Sequence, residues 1–239
     1  MKILKGFLLA FNMLTIFPFF KIHNFFKGIN GYSVMFYPLV GFILGLLLWL
    51  IHTLLSPYLP AFHLNIIIFS LLVVFSGGLH LDGFSDSVDG LFVDKKRAIA
   101  VMKDSNVGGM GMVFTTIFLI LKASTFVVFE LFYLLPFILM LSRLNGSLAI
   151  YFYPYISKGI TSLTKEEFTK TKLLVMLSFV TASLLFFNHL SLFLVSILTL
   201  VICASSFKKR LGGLSGDIYG FIIEVSELVL LNYVIVVTY

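Results

Sequence analysis

A chain of 239 residues that is 59% hydrophobic and only 12% Asp, Glu, Lys and Arg does not make a soluble globular domain, which carries about 25% charged residues. The bilayer must be the solvent for most of its surface. The net charge of +6 reads as the positive-inside bias of membrane loops and not as a nucleic-acid footprint, and a single cysteine, Cys203, excludes an internal disulfide or a cysteine metal site.

The chain begins "MKILKGFLLAFNMLTIFPFF". A lysine-bearing start and an apolar stretch imitate a signal peptide, but no small-x-small cleavage site follows. The segment is expected to be retained, interfacial or re-entrant. Apolar runs then recur at about 34–55, 64–81, 107–129, 131–153, 172–187, 190–206 and 218–238, a crossing helix needing about 20 residues. The runs at 172–187 and 190–206 are short and read as a hairpin that borrows its flanks. Lys122 and Glu130 fall in a long apolar stretch without a clear turn. The expectation is all-α: one integral membrane domain over residues 1–239, with about seven transmembrane helices.

Charge fixes the orientation. Fifteen of the 17 Lys and Arg residues fall in the N-terminal section and in 82–106, 154–172 and 207–211; the exceptions are Lys122 and Arg143. Alternating spans put all four stretches on one side, which the positive-inside rule makes cytoplasmic. The same topology gathers most of the acidic residues at that face. A bacterial or archaeal cytoplasmic (inner) membrane is expected, with the active site facing the cytoplasm.

The stretch "GGLHLDGFSDSVDGLF" (77–92) concentrates chemistry. Asp82, Asp86 and Asp89 are spaced i, i+4, i+7, within about 60° of one another on a helix. Three anions on one face repel. Either some are protonated or a cation sits among them, and oxygen-only ligands suit Mg²⁺ first. His80 stands two residues before Asp82 and is placed with it as a catalytic candidate. The competing reading is a solvated polar end of a transmembrane helix.

A second cluster, "GGLSGDIYGFIIEVSE" (212–227), puts Asp217 and Glu224 on one face, with Glu227 three residues further. Intramembrane carboxylates are functional candidates, although Glu224 could instead pair with Arg143. Its glycines, Gly213 and Gly216 among them, can aim backbone N–H groups at a phosphate. A third stretch, "RAIAVMKDSNVGGMGM" (97–112), adds Arg97, Lys103 and Asp104 beside more glycines. Arg97 and Lys103 suit phosphate oxygens, while Arg97 is equally explained as a topology charge. Arg143, inside an apolar run, needs a carboxylate or phosphate partner. The remaining histidines, His23, His52, His63 and His189, read as interfacial or structural. Carboxylates, glycine turns and basic residues together describe metal-assisted phosphoryl transfer.

At these residues the chain resembles the cobalamin synthase family (adenosylcobinamide-GDP ribazoletransferases). The carrying motifs are "MLTIFPF", "YPLVGFILG", "GGLHLDGFSDSVDGL", "MKDSNVGGMG", "SR" at 142–143 and "GGLSGDIYGFIIEVSE", in family order along most of the chain. The resemblance implies a membrane transferase that joins adenosylcobinamide-GDP to α-ribazole or its 5′-phosphate, releasing GMP. It implies Mg²⁺ as cofactor, held by Asp82, Asp86 and Asp89 with Asp217 and Glu224 opposite. His80, Asp82, Lys103 and Arg143 are the catalytic candidates, and Gly213, Gly216, Arg97 and Asp104 the cofactor-binding candidates. Partners would be the two substrates and membrane lipid, with no nucleic acid; homo-oligomerisation is left open.

Two other readings compete. "DSVDG" (86–90) fits the first half of a CDP-alcohol phosphotransferase motif, but Phe221 stands where the second half needs an aspartate. A cation-coupled transporter would put its carboxylates near mid-bilayer and show inverted repeats, whereas here the acids gather at one face and no repeat is visible.

Overall fold

The computed structural model describes residues 2–17, 26–104, 106–156, 160–186 and 189–238, of which 160–162 by backbone alone. His23 and residues 18–20 of the N-terminal segment lie outside the described residues. Among the described residues the secondary structure is helical. The elements are α1 (Lys2–Leu14), α2 (Ile29–Leu55), α3 (Ala61–Phe75), α4 (Leu79–Leu91), α5 (Lys95–Met102), α6 (Gly109–Val128), α7 (Leu135–Phe152, after a 3₁₀ turn), α8 (Ile160–Glu167), α9 (Lys170–Phe186), α10 (Leu190–Leu211) and α11 (Gly216–Thr238).

The bundle is built around α7, whose span from Phe132 is 94% buried. Helix α2 lies directly against it. A β-carbon at Gly41 would stand 2.3 Å from the Leu139 carbonyl oxygen, and one at Gly45 would stand 2.5 Å from Pro136 Cα. Helices in lipid gain little from apolar burial against each other, so small residues four apart let backbones touch and dispersion hold them. Polar side chains add interhelical bonds: Asn145 donates to the Ser196 carbonyl and the Ser226 hydroxyl, and Asn65 to the Val127 and Phe129 carbonyls. Outward faces carry exposed Leu50, Leu54, Ile120, Leu194, Leu198 and Ile202, as lipid contact requires.

Five helices are long and apolar enough to cross a membrane: α2, α6, α7 with its preceding turn, α10 and α11. Two of the seven expected spans differ. The run 172–187 forms α9 of 17 residues, somewhat short of a crossing length. The run 64–81 is not continuous: α3 stops at Phe75, and α4 leaves at 80° to it. Gly77 and Gly78 cause the break, with φ of 67° and 68°, consecutive left-handed residues that side chains resist. The bent pair taken as one span makes six.

Contacts at helix ends fix two faces. At one, Asn65 near the start of α3 meets the end of α6, and His52 near the end of α2 stacks on Phe132 at 3.8 Å. At the other, basic residues bind exposed helix C-termini, where the macrodipole favours cations. Lys165 donates to the carbonyls of Ile150, Tyr151 and Tyr153 at the end of α7, and Arg210 to those of Leu91 and Val93 after α4. Glu167 accepts from the Asn30 N–H at the start of α2. The carboxylate-rich stretches lie at this second, lysine-rich face.

Candidate active site at the basic face

Helix α4 crosses α11 at a pair of glycines. A β-carbon at Gly83 would meet the Asp217 carbonyl oxygen at 2.7 Å, and one at Gly220 would meet the His80 carbonyl oxygen at 3.0 Å. With no side chains between them, the two backbones nearly touch. Asp82 and Asp86 on α4 are thereby set beside Asp217 in the first turn of α11. The negative fields of Asp82 and Asp217 both act on Asp86, and that of Asp82 on Asp217. Ser215 ends the preceding loop and donates to Asp217 Oδ2 at 3.2 Å. Asp82 and Asp217 both occupy first helical turns, where negative charge is favoured.

Asp89 is set apart from its neighbours. It is buried, and both its oxygens are engaged: Oδ2 accepts from the Gly108 N–H at 2.8 Å and Oδ1 from the Gly111 N–H at 2.7 Å. It closes the N-terminus of α6 from another helix, satisfying donors that a helix start leaves bare.

Two residues expected at the site lie deeper. Glu224 is two turns beyond Asp217, about 10 Å along α11 at 1.5 Å per residue. There Lys122 donates to Glu224 at 2.6 Å and to Glu227 at 2.5 Å, and Arg143 pairs with the other oxygen of Glu227. All four are almost wholly buried. Unpaired charges in a bilayer are too costly to leave, so two cations and two anions on α6, α7 and α11 compensate one another. Arg143 and Glu224 therefore belong to an ion cluster within the bundle, not to the carboxylate group at its face. The sequence carried a sign of it: two cations and two glutamates, each inside an apolar run. Glu224 was expected among the metal ligands, with a pair to Arg143 as the alternative; it pairs with Lys122.

The basic-loop candidates divide. Lys103 ends α5, exposed, and its positive field reaches Asp217. Arg97 is exposed on α5. Asp104 bonds locally to the backbone and side chain of Asn106, which hold its carboxyl below the usual range. Gly213 is accounted for by packing. A β-carbon there would stand 2.4 Å from the Pro154 carbonyl oxygen, because Leu214 and Pro154–Ile156 pair as two short extended segments. That close approach accounts for a glycine at this position.

Between α1, α2, α4, α7 and α11 lies a cavity of about 310 Å³. Asp82, Gly216 and Asp217 line it together with His80, Tyr219, Thr164 and apolar side chains that include Met13, Leu14, Ile150 and Ile223. His80 is 3% exposed, and among the described residues neither ring nitrogen has a hydrogen-bond partner. The Tyr219 hydroxyl is likewise buried and unpartnered. An unsatisfied buried polar group costs about 1–3 kcal/mol, and both residues line the cavity.

As the side chains stand, no three acidic or histidine residues among those described lie close enough to hold one ion. Asp82, Asp86 and Asp217 nevertheless supply only hard oxygen donors, form no ion pair among the described residues, and repel one another. Hard oxygen donors of this kind suit a hard divalent cation.

A polytopic α-helical membrane protein with an acidic, partly apolar pocket at its basic face is the class these features define. The chain belongs to the cobalamin-5-phosphate synthase family, whose model matches residues 6–235. Curated relatives carry the name adenosylcobinamide-GDP ribazoletransferase. One from Desulfitobacterium hafniense is 34% identical over 83% of this chain and 84% of its own length. One from Acinetobacter baumannii is 36% identical over 88% of each. One from Carboxydothermus hydrogenoformans is 30% identical over 94% of each. No solved structure matches the chain.

Proposed function

We propose that this chain is an adenosylcobinamide-GDP ribazoletransferase, acting in the cytoplasmic membrane with its site open to the cytoplasm. It joins adenosylcobinamide-GDP to α-ribazole or its 5′-phosphate. A ribazole hydroxyl oxygen forms the new bond to the corrinoid-side phosphorus, the diphosphate bridge breaks, GMP leaves with the bridging electron pair, and the hydroxyl proton is released. The observation that supports this most is the glycine crossing, which sets Asp217 of α11 against Asp82 and Asp86 of α4 at a cavity mouth.

Asp82, Asp86 and Asp217 would hold Mg²⁺ there. Bound, the ion supplies positive charge against the diphosphate oxygens and the departing phosphate. The chain's own residues position the rest. Asp89 anchors the start of α6 beside α4. Lys103 adds positive charge at the same mouth for the nucleotide phosphates. Gly216 is exposed at the start of α11, where a helix N-terminus favours an anion.

The test is nucleotide release by the purified protein in detergent, supplied with adenosylcobinamide-GDP, α-ribazole and Mg²⁺. The expected result is GMP in equal amount to the condensed corrinoid, abolished by EDTA. Release of CMP from a CDP-lipid, or no nucleotide release from any substrate, would overturn the proposal.

A further inference from the structure

The cavity behind the carboxylates asks for an occupant of particular chemistry. Its volume of about 310 Å³ sits at the small end of ligand pockets. It admits a nucleoside-sized group and excludes a corrin macrocycle. The part of its lining from Met13, Leu14, Ile150 and Ile223 is apolar. His80 and Tyr219 also line it, and among the described residues the two ring nitrogens of His80 and the hydroxyl of Tyr219 are buried without hydrogen-bond partners.

Two bases are on offer in the proposed reaction. Guanine presents donors and acceptors along most of its edge, and a mainly apolar wall would leave several unpaired, at a cost that rejects it. The base of α-ribazole is a benzimidazole: a fused carbocycle with one bare ring nitrogen, an acceptor only. Its carbocycle matches the apolar wall, and its one acceptor needs one donor. An imidazole offers a donor and an acceptor, and a phenol offers both at one atom.

Resting on the function proposed above, we infer that this cavity takes the benzimidazole base of the ribazole substrate. His80 and Tyr219 read the bare ring nitrogen and an adjacent ribose hydroxyl. The base enters first, and its ribose is left at the mouth beside Asp82 and Asp217. The corrinoid and the guanosine stay outside. The apolar wall thereby sets which base the product carries.

The experiment is equilibrium dialysis of labelled α-ribazole against the purified full-length protein, without corrinoid and with or without GDP, paired with KM values for each substrate. Wild type is expected to bind α-ribazole, undisplaced by GDP. Tyr219→Phe should weaken that binding about tenfold, as loss of one hydrogen bond to a buried acceptor does. Its KM for adenosylcobinamide-GDP should stay within about twofold. Leu79→Trp, at a half-exposed position on the cavity wall, should weaken ribazole binding in the same way. Ile223→Ala should admit a benzimidazole with bulkier ring substituents that wild type rejects. Displacement by GDP, no ribazole binding to wild type, or variants that shift only the corrinoid KM would each overturn the inference. Failure of GMP release, scored separately on wild type, would overturn the function instead.

Discussion

Gly83 of α4 and Asp217 of α11 are in backbone contact: a β-carbon on Gly83 would lie 2.7 Å from the Asp217 carbonyl oxygen and 3.1 Å from its Cα. That contact decides how far apart the acidic residues of the two helices stand. Neither backbone can yield locally, so an added methyl must push the helices apart or break the overlap.

Gly83→Ala is therefore expected to lower turnover at least tenfold while the protein still inserts and purifies, because a displacement of about 1 Å at a reacting site costs on this scale. Gly109 supplies the control. A β-carbon there meets nothing within 4 Å, so Gly109→Ala should leave turnover within about twofold. Equal losses in the two variants would show that the crossing does not set the site.

The aspartates of the opening motif should separate by their response to metal. Asp82→Asn should lower turnover about 10²-fold, as removal of a metal ligand does, with part of the loss restored by excess Mg²⁺. Asp89 spends both oxygens on the α6 N-terminus. Asp89→Asn should lower the unfolding temperature, by loss of about 1–2 kcal/mol of capping, with any fall in turnover insensitive to added Mg²⁺. A Mg²⁺-rescued Asp89→Asn with normal stability would return it to the metal site.

The buried ion cluster makes a stability prediction. Lys122→Met leaves Glu224 without its cation, and breaking a buried pair costs about 3–5 kcal/mol. The double substitution Lys122→Met with Glu224→Gln removes both charges and should recover a large part of that loss. Thermal unfolding in detergent of the single and double variants measures the difference. A double variant no more stable than the single one would contradict the pairing.

Basic residues that share one face should not behave alike. Lys165 donates to three carbonyls at the end of α7; Lys95 is exposed at the start of α5. Lys165→Ala should lower the unfolding temperature measurably, whereas Lys95→Ala should change neither stability nor turnover. A marked rise in corrinoid KM in Lys95→Ala would reassign it to substrate binding.

Hydropathy and charge revealed the helical, many-span architecture and the face that gathers lysines with carboxylates, because membrane burial and topology act on local composition. The i, i+4, i+7 aspartates were equally readable, being a property of one helix. What the sequence hid depends on local backbone conformation or on contacts between distant segments. The apolar run 64–81 looked continuous because hydropathy does not register the left-handed turn at Gly77 and Gly78. The packing of Gly213 against Pro154 is equally invisible, the two lying in separate segments. Asp89 and Asp86 look equivalent until α6 presents two N–H groups to one of them. Lys122 read as an irregularity in a span, since its partners lie more than a hundred residues away.

The metal site itself admits a measurement that needs no substrate. Mn²⁺, a paramagnetic stand-in for Mg²⁺, can be titrated into the purified protein and its binding followed by electron paramagnetic resonance. One tightly bound ion is expected in wild type, weakened at least tenfold by Asp82→Asn and separately by Asp217→Asn, since each removes a charged ligand. Binding that both substitutions leave unchanged would contradict a divalent ion shared between α4 and α11.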